Sequence, residues 1–227
     1  NTGVGIGSLQ SINDGTANTA LGYESLAANQ NGSDNTAIGL YALSSTESSG
    51  NTAIGANAMI QNKTGGANTA IGAFTLYDNI EGSSNVALGN SSLNKNISGN
   101  QNIAIGSSSL KANNEGSDNV AIGQSALLQN TWGENNISIG TNSMYVNRTG
   151  SENVAIGNGA LVNNTTGNGN TSIGMSGFFA LQNGDYNTGI GYRARSINDV
   201  LISNSTAIGA NSVVTTSNTI QLGDDNI

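Results

Sequence analysis

The chain has 227 residues, 36% hydrophobic, 9% charged and 4% aromatic, with 32 glycines and no proline, cysteine or histidine. Globular domains carry about 45–50% apolar and about 25% charged residues, so one thick core is excluded and a long thin one, with the same apolar residues in every layer, is left. Six basic against fourteen acidic residues give a net charge of −8, which argues against a nucleic-acid partner.

The basic residues Lys63, Lys95, Lys111, Arg148, Arg193 and Arg195 form no run. No apolar stretch approaches the roughly 20 residues that span a bilayer, so this segment is expected not to insert into a membrane. The pattern is already running at Asn1, which is expected of a piece of a longer chain.

A glycine column sets the elements. It starts at Gly5, Gly22, Gly39, Gly55 and Gly72 and ends at Gly191, Gly209 and Gly223, fourteen in all. The step is 17 residues, except for 16 after Gly39, 18 after Gly191 and 14 at the end. Around each glycine the chain reads N-[TVI]-[AS]-[IL]-G-x-x-[AS]-[LM]-x-x-N-x-x-G-x-x. The unit is too short for helix-pair repeats and has no helix-period apolar face. It predicts one coil of a β-solenoid, with two short strands and two turns. Fourteen coils stacked at strand spacing would extend on the order of 65 Å. Residues 1–191 are the regular array, and 192–227 are irregular, neck-like coils with a shorter final repeat.

Within each coil the order is as follows. An Asn opens the repeat (Asn35, Asn51, Asn68), and another lies seven after the glycine (Asn62, Asn79, Asn96). Both suit turns, and stacking predicts amide ladders along the axis. The next column is Thr in Thr36, Thr52 and Thr69 but Val or Ile in Val86, Ile103 and Val120, so it is expected buried or half-buried. Two columns are the expected core: the Ile or Leu before the glycine (Ile38, Ile54, Ile71) and the Leu or Met four after it (Leu43, Met59, Leu76). The glycine between them is expected to turn with positive φ or to approach a neighbour closely.

Between the Thr and Ile columns almost every residue is small, as in Ala37, Ala53, Ala70, Ala87, Ala104 and Ala121. In a strand this column faces the other way. Two readings are open: Ala fills a tight spot in its own coil, or these residues are the interface of a homo-oligomer in which two or three rods pack through flat small-residue faces.

The N-T-A-I-G and N-V-A-I-G cores, as in Asn35–Gly39 and Asn119–Gly123, resemble the head repeats of YadA-like trimeric autotransporter adhesins. The resemblance implies an all-β, left-handed parallel β-roll, one repeat per coil, existing as a homotrimer. It covers essentially the whole chain. The repeat departs from that family, being 17 residues long where about 14 is usual. Long repeats with turns such as Asn164–Gly167 look like those of phage tail-fibre β-rolls. Either family implies an extracellular place, on a bacterial surface or a virion tail, and a host receptor or glycan as partner.

Breaks in the consensus are where a solenoid carries function. The densest is 174–203, with Phe178 and Arg195 in the Leu column and the run Val200-Leu201-Ile202. Its plainer reading is a capping or transition coil, and a receptor site is the alternative. Tyr41, Phe74 and Trp132 stand outside the core columns and are the candidate ligand-binding residues, since a ring covers a sugar's apolar face while amides take its hydroxyls. Acidic turn residues such as Asp34 read as solvated charges, so no metal and no cofactor are expected.

Without His or Cys there is no Ser-His or Cys-His nucleophile pair, and the chain is expected not to be an enzyme. An ice-binding solenoid would need an unbroken Thr array, which Val and Ile interrupt for five coils. The expected function is a non-enzymatic attachment segment of a fibrous surface protein, with a tail-fibre shaft as the alternative.

Overall fold

The computed structural model describes residues 1–196 and 201–224. The fold is an all-β parallel solenoid of about 17 residues per coil, in two compact units, Asn1–Gly116 and Ser117–Ile227. In the first unit, β1 (Thr2–Val4), β2 (Thr19–Leu21), β3 (Thr36–Ile38), β4 (Thr52–Ile54), β5 (Thr69–Ile71), β6 (Val86–Leu88) and β7 (Ile103–Ile105) pair in chain order as a parallel sheet.

The second unit repeats the scheme with β8 (Val120–Ile122), β9 (Ile137–Ile139), β10 (Val154–Ile156), β11 (Thr171–Ile173) and β12 (Thr188–Ile190). Then β13 (Arg195–Ser196) leaves the sheet, β14 (Thr206–Ile208) rejoins it beside β12, β15 (Val213–Val214) pairs with β13, and β16 (Ile220–Leu222) pairs with β14. Val200 and residues 225–227 of the irregular coils lie outside the described residues.

Register is strict, each residue facing its own counterpart: Thr36 meets Thr52, Ala37 meets Ala53 and Ile38 meets Ile54. The 16-residue step does not disturb it. The missing residue is absorbed in the turn after Leu43, where Thr46 and Ser48 stand in for the usual Asn and Gly and bond each other at 2.8 Å.

The coil differs from expectation in having one strand, not two. Opposite the sheet runs a wall of tight turns, and its central residue is the Leu column. From Leu9 to Phe178 these residues have φ between 43° and 53°. That left-handed backbone is uncommon for non-glycine residues and worst for β-branched ones. It accounts for a column of Leu, Met and Phe with no Ile or Val. Each side chain reaches inward; Leu26 to Leu161 are fully buried, each stabilising the coil by about 1.5–3 kcal/mol.

The expected core was half right. The Leu column is inside, but the Ile column is not: Ile71 is 40% exposed and Ile105 37%. The strand's inward residue is the alanine. Ala37, Ala53, Ala70, Ala87, Ala104 and Ala121 have no exposed surface within a single chain, so they fill their own coil and present nothing to a neighbouring subunit. The physical reason is thickness. A Leu from the turn wall already spans to the sheet: a Cβ built on Gly3, in the Ala column, would meet Leu9 Cδ1 at 3.3 Å. Only a methyl fits opposite it. Since strand side chains alternate with period two, Ala inward puts both branched columns outward.

Gly55 shows why the column glycine is needed. Its φ is +139°, and a Cβ there would lie 2.5 Å from Gly72 O in the next coil. The Asn ladders form as expected, and they are buried. The backbone N–H of Asn68 donates to Asn51 Oδ1 (3.0 Å) and that of Asn85 to Asn68 Oδ1 (2.9 Å). In the second ladder Asn79 Nδ2 donates to Asn62 Oδ1 (2.6 Å) and Asn96 Nδ2 to Asn79 Oδ1 (2.7 Å), each also donating to the carbonyl three residues on. Buried amides in a thin core are tolerated because nearly every polar atom has a partner.

Candidate functional site

The first and third residues of the three-residue strands face outward, and most are apolar. In the first unit Leu21 is 48% exposed, Ile71 40%, and Ile103 and Ile105 both 37%. In the second unit Ile137, Ile156, Ile173 and Ile190 lie between 37% and 40%. Parallel pairing in register stacks these into two adjacent columns of branched side chains per unit. Scattered exposed apolar residues need no explanation, but a contiguous apolar face marks an interaction surface. No ionisable residue stands on this face in β1–β7.

From β2 to β6 each strand is bonded on both sides by neighbours, and its two outward side chains flank a buried alanine set against the Leu column. The face is therefore a preorganised surface, which lowers the ordering cost of association. It offers apolar contact and hydroxyls from Thr36, Thr52 and Thr69, with no nucleophile–base pair.

The sequence-predicted ligand residues are not brought together. Tyr41 and Phe74 occupy the same position, two after the column glycine, in coils separated by the one carrying Asn57. Both have left-handed backbone, with φ 55° and 57°. Tyr41 packs edge-on against Tyr23 at 5.4 Å, and Phe74 lies tilted at 5.9 Å from Tyr77. These are two aromatic pairs along one edge of the first unit. The Tyr23 phenol is raised above its ordinary value because it bonds the Glu24 carboxylate, whose charge also opposes ionisation. Trp132 belongs to the second unit, in the turn at 131–133, where it is 54% exposed.

What the sequence reading missed is the outward Ile column. The available signal was the absence of Ile and Val from the Leu column, which marks the turn residue and so fixes which strand face is inside. No family model matches the sequence, and no curated protein matches it.

Proposed function

We propose that the chain is a non-enzymatic attachment segment of a fibrous surface protein, in which left-handed β-rolls associate as a homotrimer through their outward sheet faces. The observation that carries the reading is the pair of exposed branched columns, represented by Ile103 and Ile105 at 37% each. Association would bury that face and leave the turn wall, with its Asn, Ser, Thr and acidic residues, toward water. The N-T-A-I-G repeats and their resemblance to adhesin heads support the same arrangement and an extracellular place. The second reading, a tail-fibre shaft in host recognition, is favoured by one feature, the 17-residue step.

In this reading the trimer presents three copies of each surface side chain, so weak single contacts act together. The test is adherence. Beads coated with the chain should bind host cells saturably, and the variant Ile71→Lys/Ile105→Lys, if it is monomeric but folded, should bind at least about tenfold less. Absence of adherence at any coating density removes the attachment role. Release of oligosaccharide from host glycans by the purified chain would overturn the non-enzymatic assignment.

A further inference from the structure

From Leu9 to Phe178 the residue four after the column glycine is turned inward on left-handed backbone. At Arg195 this stops. The chain takes an extended conformation in β13, pairs with β15, and alternates the other way, so Ser196 is 4% exposed and Arg195 points out. In the preceding coil Phe178 fills the core, and its neighbour Phe179 is left 51% exposed. Arg193 is set over Ser176 of that coil by its backbone bond to Met175 O at 3.0 Å.

The result is a pocket of about 220 Å³ lined by Ser176, Phe179, Arg193 and Arg195. It gathers two of the six basic residues of a chain whose net charge is −8. Among the described residues neither guanidinium is paired with a carboxylate, and Arg193 is steadied only by the Tyr192 ring, 5.1 Å from its centroid. Two like charges on one pocket wall repel, and a bound anion relieves them. Guanidinium groups take carboxylates through paired N–H donors, and the exposed Phe179 ring offers apolar area for the face of a sugar. The volume lies below the roughly 300–1,000 Å³ of drug-sized sites, which suits one ring.

We propose that this pocket binds a carboxylated sugar, Arg193 and Arg195 holding the carboxylate, Phe179 the ring and Ser176 a hydroxyl. It gives the attachment reading a receptor chemistry and rests on that reading for its role. The test is calorimetric or NMR titration of the full chain with methyl galacturonide and methyl N-acetylneuraminide, against neutral methyl galactoside and inorganic phosphate.

At least one sugar acid should bind, with the neutral sugar at least about tenfold weaker, the order of a charge-assisted hydrogen bond. Arg193→Gln and Arg195→Gln should each cost about tenfold or more, Arg195→Lys less, and Phe179→Ala should weaken the sugar acid while leaving phosphate unchanged. Equal affinity for the neutral sugar, phosphate as tight as the sugar acids, or unchanged binding by the Arg variants would overturn the proposal. Thermal unfolding of each variant separates loss of binding from loss of fold. Adherence without sugar-acid binding removes the pocket and keeps the attachment role; sugar-acid binding without adherence does the reverse.

Discussion

Phe178 and Gly189 fit one another: a Cβ built on Gly189 would lie 2.5 Å from the Phe178 ring. Gly189 stands in the Ala column of the coil that follows the one carrying Phe178 in its Leu column, so a methyl missing from one coil's strand makes room for a larger side chain from its neighbour's turn wall.

A double-mutant cycle reads this coupling. Gly189→Ala alone should destabilise by about 1–3 kcal/mol through overpacking, and Phe178→Leu alone should cost about as much through the void it leaves. The double variant restores the consensus pair and should lie closer to wild type than the sum predicts. Denaturant unfolding measures it, and strict additivity would show that the two side chains do not share the space.

The Leu column makes a sharper prediction about backbone. Leu93 is fully buried with φ 49°. Leu93→Met should cost less than about 1.5 kcal/mol, as volume-conserving swaps do; Met59 and Met144 already occupy equivalent places. Leu93→Ile conserves volume equally well but places a β-branched residue in the left-handed region, and should cost clearly more than the Met variant. Comparing their unfolding midpoints tests it.

In the second Asn ladder, Asn96 donates to Asn79 Oδ1 at 2.7 Å and accepts from Asn113 Nδ2 at 2.8 Å. Asn96→Ala strips buried groups of partners on both sides and should cost about 2–4 kcal/mol, at about 1–3 kcal/mol per orphaned group. Asn96→Asp adds a pH dependence. Burial would raise that carboxyl above its unfolded value, so the variant is most stable below the unfolded value near pH 3.9. Relative to wild type it should lose stability as pH rises through the folded value. Thermal midpoints between pH 3 and 7 would show it, and a parallel shift with wild type would contradict it.

The repeat was fully legible: the fourteen glycines fix coil length, and the Asn spacing predicts both ladders. The inside of the strand was not legible from hydrophobicity, because Ala37 and Ile38 compete for the same role and apolar character favours the wrong one. What decides between them is the conformation of Leu43, a turn residue whose left-handed backbone shows in the sequence only as the lack of Ile and Val. Where the turn gives way to strand, Val213 enters that column. The site was less legible than the fold. The outward face is written in residues that read as core, and Arg193, Arg195 and Phe179 are drawn together by a change of alternation that only the paired β13 and β15 reveal.

The outward apolar face carries the central claim, and the mass of the purified chain in solution tests it most directly. Sedimentation equilibrium at micromolar concentration should give three times the 22.8 kDa of one chain, and Ile71→Lys/Ile105→Lys should shift it toward one while its circular dichroism stays that of the folded solenoid. A stable monomer of the unaltered chain, its exposed isoleucines facing water, would contradict the account.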